Sequence, residues 1–483
     1  MLTFRLLLVA ALALAQCGAA AAQALPFSLA QRIDGIVRKD MRTAATPGLS
    51  LAIVRRGRIA YVRAYGVRDL ASRAPVDTGT IFRFGSVSKQ FTAAALLMLA
   101  REGKLSLDDP LAKWFPSVTS ARDVRIADLL AQVSGYRDYY PLDYCDREMS
   151  LPATMAEIVR EYGAFPLTAN PRTRFEYSNT NYLFAGLVAE RVSGEHLREL
   201  LERRIFRPLG MTHTFYDEPY RSVADRATGY DTYFTEPQHT DPIEAPHWLN
   251  SAASLAGTAS DLARWDIGLM NGALLDASST KAMTTEHILM PGNVHTSYGL
   301  GQYVYEVKGH RIIAHGGNVI GFNAANAMAF DDRMAVVVLT NSYEGSAGET
   351  ARDVLFALIP AQAPTPAASG AKPSHDSSPR QTPEQVAAIR EIDRGIAALR
   401  AGTVSSAIAD PDFLALMNAA NTQRAVTALA HLGATKSVDI LDQAPRGGLA
   451  VTEASVRFAS GTRTAILFAT PQGKIAELFL LSD

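Results

Sequence analysis

Ser86 and Lys89 are the residues of this chain whose types and spacing most directly suggest chemistry. They stand in Phe84-Gly85-Ser86-Val87-Ser88-Lys89, an extended entry and a glycine turn. The Ala-, Leu- and Met-rich run from Ala93 to Leu99 that follows favours helix. Three residues apart on a helix, the pair shares a face, so the amine can lean over the hydroxyl. The first backbone amides of a helix lack intrahelical partners and the dipole is positive there. That suits a serine whose attack on a carbonyl creates an oxyanion. A serine at a helix start is also a common cap, and a lysine one turn on is commonly solvated. The pair therefore needs partners before it means catalysis.

Two other stretches supply them. Tyr177-Ser178-Asn179 lies in a loop entering a helix over 182–192, so that Tyr177 and Asn179 can point to one side. A phenol can pass a proton to a leaving group, and an amide can hold both a lysine and a substrate. The competing assignment is a half-buried core tyrosine and a helix cap. His315-Gly316-Gly317-Asn318 follows a strand over 311–314. Paired glycines at a strand's end mean a turn, or a backbone that something must approach closely. In the second case the Asn318 N–H joins the Ser86 N–H around an oxyanion; in the first, the motif is a plain hairpin turn. A lysine serving as base must lose its proton near neutrality, against an ordinary pKa of about 10.4, so burial or positive neighbours have to push it down.

The elements that must position these residues follow from periodicity. A helix over 26–45 precedes a hairpin of strands 49–54 and 59–62. A mostly helical stretch runs from 105 to 270, with a helix over 123–130 and another opening at Ser260 as its cap. Strands over 298–304, 311–314, 323–330 and 334–339 come next, and a helix over 349–358 closes the unit. An early hairpin, late strands and intervening helices predict an α+β fold: a discontinuous antiparallel sheet flanked by helices, with an inserted helical lobe and a cleft between. The expected domain, 27–360, is followed by a Pro-, Ala-, Ser- and Thr-rich linker, 361–382, and a small domain, 383–483. The small domain reads as one helix to about 399 and strands over 437–441, 449–458, 463–468 and 475–481. It shows no titratable constellation, so removing 375–483 is expected to leave the first domain folded and active.

Residues 1–24 have the pattern of a secretory signal: Arg5, an apolar run from Leu6 to Leu14, and the small-x-small end Ala22-Gln23-Ala24. This predicts a secreted or periplasmic protein with no membrane span after cleavage. Leu14-Ala15-Gln16-Cys17 offers a lipoprotein alternative. With only 2 cysteines in the chain, loss of Cys17 leaves Cys145 a lone thiol, without an intramolecular disulfide or a cysteine-based metal site. The formal net charge of −1 provides no long-range field for nucleic acid. Neither a phosphate-binding glycine loop nor a His-x-x-x-His motif is present, so neither a nucleotide nor a metal cofactor is expected.

Taken in order, Ser86-x-x-Lys89, Tyr177-x-Asn179 and His315-Gly316-Gly317 resemble the serine β-lactamase and penicillin-binding-protein family, over about residues 27–360. The likeness is to its class C β-lactamase-like branch, which includes D-amino acid peptidases, amidases and esterases. Leu129-Leu130 through Ser134-Gly135 and Leu255 through Leu262 match secondarily. The resemblance implies Ser86 as acyl-accepting nucleophile, Lys89 as its base and Tyr177 as proton shuttle. Asn179, His315, Gly317 and Asn318 would then bind substrate. It implies a hydrolase forming an acyl-enzyme from an ester or amide, on a small-molecule or peptide substrate of which cell-wall peptides are one source. The alternative is a sensor that binds penicillin or peptidoglycan peptides with little turnover. His315 stands where these β-lactamases carry the lysine of Lys-Thr-Gly. A histidine is only partly charged at neutral pH, so the departure favours ester or small-amide hydrolysis over β-lactamase activity. Gln132-Val133 replaces the His-Thr usual before Ser-Gly.

Overall fold

The computed structural model describes residues 25–359 and 381–482, apart from 143, 145, 219, 221–222, 232–237, 241–243 and 291–292. The signal segment, Cys17, Cys145 and most of the expected linker lie outside these residues.

A nine-stranded sheet organises the first unit. Its strands are β1 (Gly48–Arg55), β2 (Arg58–Asp69), β3 (Ala74–Pro75), β4 (Ile288–Met290), β5 (Asn293–Tyr298), β6 (Tyr303–Val307), β7 (His310–Val319), β8 (Phe322–Ala329) and β9 (Met334–Thr340). They lie in the order β3-β2-β1-β9-β8-β7-β6-β5-β4. The N-terminal hairpin is thus joined to the late strands through β1 and β9, which pair antiparallel from Leu49↔Thr340 to Val54↔Ala335. β1 is buried on both faces, which explains its nearly unbroken apolar sequence. Leu49, Leu51 and Ile53 pack with Ile33 and Val37 of α1 (Phe27–Thr43) and with Val354 and Leu355 of a closing helix, Ala347–Leu358. Ala52 and Val54 face the helical lobe instead.

The centre of that lobe is α2 (Lys89–Arg101), buried at every residue from Lys89 to Leu99. A helix apolar all round belongs inside a core, and α2 is covered by α3 (Asn179–Ser193) on one side. A third helix, Ala259–Met270, is capped by Thr258, whose hydroxyl accepts from the Asp261 N–H at 3.2 Å. The cap is therefore not Ser260, which lies inside the helix: Thr258 holds the extended backbone a cap needs.

Two strand assignments change. The stretch 298–304 is not one strand, because Gly299, Leu300 and Gly301 turn the chain between β5 and β6. β7 does not stop at Ala314. It continues through His315, Gly316, Gly317 and Asn318 in register with Asn326, Ala325, Ala324 and Asn323. The two glycines are strand residues facing alanines across the ladder, not a hairpin turn.

The second unit has α4 (Pro383–Ala401), a short helix Pro411–Leu416, α5 (Ala419–Leu432) and a four-stranded antiparallel meander: β10 (Thr435–Arg446), β11 (Leu449–Phe458), β12 (Thr462–Ala469) and β13 (Ile475–Ser482). Its two later helices were not legible in the sequence pattern, and β10 runs five residues beyond the expected end at 441. The units are docked. Leu142, Tyr144, Ile320 and Tyr343 of the first share a hydrophobic cluster with Ile392, Phe413 and Phe479 of the second. The Tyr144 hydroxyl donates to the Ala476 carbonyl at 2.9 Å. Arg147 pairs with Asp412 at 2.7 Å, and Arg424 with Asp231 at 2.9 Å.

Candidate active site

The turn that carries Ser86 is built by backbone constraint. Gly85 has φ +54°, and a Cβ there would stand 2.9 Å from Asn318 N. A 3₁₀ turn, Gly85–Ser88, then feeds directly into α2. Between Ile81 and Leu99, Ser86 is the one residue that is not buried.

Lys89 is fully buried. Its Nζ lies 2.9 Å from Ser86 Oγ, 2.7 Å from Asn179 Oδ1 and 3.1 Å from the Ala252 carbonyl. Burial holds its pKa well below the ordinary lysine value, Arg446 lowers it further, and the Asp138 carboxylate opposes both. A neutral amine has two N–H groups and one lone pair. The two carbonyl oxygens accept the N–H groups, which leaves the lone pair for the Ser86 O–H.

Tyr177 completes the centre from the loop before α3. Its hydroxyl shares a hydrogen bond with Ser86, and its ring lies 4.8 Å from Lys89 Nζ. Burial keeps the phenol protonated, with a pKa raised well above 10. Gln132, at φ +60°, clamps this loop. Its carbonyl accepts from the Glu176 N–H at 2.9 Å. Its side-chain oxygen accepts from the Ser178 N–H at 3.1 Å and from Asn181 Nδ2 at 2.7 Å.

Asn179 is the first residue of α3, not its cap. The N-terminal orphan donor is met by Asp138, which accepts from the Asn179 N–H at 2.8 Å and from Asn179 Nδ2 at 3.3 Å. The same Nδ2 donates to the Tyr140 carbonyl at 3.1 Å. With both ends of its amide held, Asn179 presents Oδ1 to Lys89 in one orientation.

β7 forms the opposite wall. His315 is buried; its Nδ1 donates to the Gly316 carbonyl, and its Nε2 accepts from the Tyr298 hydroxyl at 2.9 Å. Burial pushes its pKa down to about 3, so the ring is neutral at pH 7. Gly317 is where β7 crosses the turn that carries Ser86: an added Cβ would lie 2.1 Å from the Phe84 carbonyl and 2.7 Å from Ser86 N. Only hydrogen fits there. The crossing brings Asn318 N beside the turn that carries the Ser86 N–H.

These residues share one cavity of about 380 Å³, lined by Ser86, Tyr177, Asn179, His315, Gly317 and Asn318. All seven residues singled out in the sequence therefore meet, with Lys89 beneath the floor. Three others escaped notice: Asp138, Tyr303 and Arg446. Asp138 had no signal in the sequence beyond its nearness to Ser134-Gly135. Arg446 had one, because it precedes Gly447-Gly448, a pair suited to a tight hairpin that would have extended β10 to it.

Comparison with known proteins shows the family and the fold. The Beta-lactamase family model matches residues 33–359. A D-aminopeptidase of Cereibacter sphaeroides is 29% identical over 348 residues, covering 68% of this chain. The chain spans 62% of that relative's length. Two solved structures share the fold. A D-amino acid amidase from Ochrobactrum anthropi SV3 has TM-score 0.61 at 24% identity, covering 68% of this chain and 98% of its own. An octameric penicillin-binding protein homologue from Pyrococcus abyssi has TM-score 0.63 at 20% identity and covers 94% of this chain and 98% of its own. With a family match across about two thirds of its length and the Ser86–Lys89–Tyr177 centre assembled inside it, the chain belongs to the beta-lactamase family.

Proposed function

We propose that this protein is an exported serine hydrolase that cleaves an ester or amide through an acyl-enzyme. The observation that carries the reading is the 2.9 Å approach of a buried lysine amine to a partly exposed serine hydroxyl that also bonds a phenol. Neutral Lys89 takes the Ser86 proton as Oγ attacks the carbonyl carbon. The oxyanion that forms is received by the Ser86 and Asn318 N–H groups. As the carbonyl reforms, the bond to the leaving group breaks, and that group takes the Tyr177 phenolic proton. The phenolate recovers a proton from Lys89, which returns the amine to its neutral state. Water then hydrolyses the ester on Ser86 by the reverse relay. The ester, D-amino acid peptidase and β-lactamase-like substrate classes all pass through these steps. The D-aminopeptidase name of a relative supports the amide branch, and the neutral His315 counts against a β-lactamase of the lysine type. Export rests on the pattern of residues 1–24.

The test is labelling with a fluorescent fluorophosphonate and a fluorescent penicillin, beside p-nitrophenyl ester turnover. Ser86-dependent labelling with turnover supports the hydrolase. Permanent penicillin labelling without ester turnover supports a sensor instead. Labelling that survives in Ser86→Ala removes the assignment of the nucleophile.

A further inference from the structure

The second unit sends one side chain into the cavity. β10 ends at Arg446, and Gly447 and Gly448, at φ +60° and +82°, turn the chain into β11. The turn is seated on the first unit. The Gly447 carbonyl accepts from Arg137 Nε at 2.9 Å, and a Cβ on Gly447 would lie 2.6 Å from Pro141 Cβ. So placed, Arg446 donates from Nε to Asp138 Oδ2 at 3.2 Å and from an Nη to the Tyr140 carbonyl at 3.0 Å. Its guanidinium carbon is 5.5 Å from the Tyr177 ring centre. About 26% of its side chain stays exposed, and it lines the same cavity as Ser86.

Charge decides what this means. No carboxylate side chain lines the cavity among the described residues, and Asp138 is buried behind Asn179 and Arg446. His315, at the opposite wall, is a neutral acceptor for Tyr298. Among the described lining residues, Arg446 is then the one side chain with a formal charge, and that charge is positive. Among the described residues that line this cavity, a substrate ammonium, as an aminopeptidase would require, meets no carboxylate. A substrate carboxylate meets a planar guanidinium oriented by partners that include Asp138 and the Tyr140 carbonyl, the group best shaped to receive it.

We propose that Arg446 is a specificity-determining residue that binds a carboxylate of the substrate, so that the second unit completes the substrate site and the preferred acyl or leaving part is anionic. This rests on the serine hydrolase reading above and deepens it.

The experiment uses the full chain and two matched substrate pairs. One is mono-p-nitrophenyl glutarate against p-nitrophenyl pentanoate, with the carboxylate on the acyl side. The other is an N-acylated D-Ala-D-Ala dipeptide against its C-terminal carboxamide, with the carboxylate on the leaving side. The wild type is expected to favour the anionic member of at least one pair by about tenfold or more in kcat/KM, the scale of a charge-assisted hydrogen bond. That ratio should fall to about one in Arg446→Met and be partly kept in Arg446→Lys. A merely structural role lowers both members equally and leaves the ratio in place, which would overturn the proposal. So would a wild type indifferent to the carboxylate in both pairs. If Arg446→Met does not fold, the ratio in Arg446→Lys decides by the same criterion. Ser86-dependent turnover of the neutral ester with no anionic preference sinks this inference alone. Absence of any Ser86-dependent turnover sinks the hydrolase reading and this inference with it.

Discussion

At the scale of single residues, the proposed mechanism needs a buried amine kept uncharged. Lys89 has no exposed surface, and what it meets are two carbonyl oxygens and a hydroxyl. Replacing Lys89 by Ala or Tyr177 by Phe should each lower kcat for a p-nitrophenyl ester by about 10²–10⁴-fold, the range of a lost general acid or base. Circular dichroism should show a retained fold. Near-normal turnover by either variant rejects its role. The pH dependence has a definite sign. Lys89 must be unprotonated to act, so kcat/KM rises with pH through its folded pKa, which burial and Arg446 place well below 10.5. Arg446→Met removes a positive neighbour, favours the protonated amine, and should move that rising limb to higher pH. A limb that stays put shows that the field of Arg446 does not reach Lys89. His315 adds no limb between about pH 5 and 8, because its ring stays neutral down to about 3.

At the scale of elements, the site is a crossing of a strand over a helix start. β7 and the Gly85–Ser88 turn touch at Gly317, where no Cβ fits. Gly317→Ala should push β7 off the turn, separate the Ser86 and Asn318 N–H groups, and cost about 10²–10³-fold in kcat. Overpacking against backbone should also lower stability by about 1–3 kcal/mol, read as a reduced Tm. A variant with wild-type kcat would show that the crossing does not form the oxyanion site. Much of this level was legible in the sequence. α2, the N-terminal hairpin, β8, β9 and the closing helix all follow from local periodicity. What was not legible was β7 running on through His315-Gly316-Gly317-Asn318, because glycine carries no strand propensity of its own. The ladder with Asn323–Asn326 holds those residues extended, and that is a tertiary fact.

At the scale of the whole molecule, the second unit is part of the site. The β10–β11 turn is docked on Arg137 and Pro141, so the expected independence of the first domain is tested by truncation. Ending the chain after the linker would uncover Leu142, Tyr144, Ile320 and Tyr343 and leave Asp138 without its guanidinium partner. Such a truncated protein should aggregate more readily and turn over esters more slowly than the full chain, measured by light scattering and by kcat/KM. A monodisperse fragment with full activity would restore the independent first domain and leave Arg446 without a part in turnover.

Ser86, Lys89, Tyr177, Asn179 and the His315 motif could be found in the sequence because each sits at a local break, a helix start or a glycine pair, where residue type and backbone demand coincide. The family resemblance followed from their order, and the α+β class from the order of strands and helices around them. Asp138 and Arg446 could not be found that way. They stand about 300 residues apart in the chain, and their pairing at 3.2 Å depends on where a hairpin in one unit settles against a loop of another. Charge in a cavity is a sum over everything that lines it, and only the folded chain brings those contributions to one place.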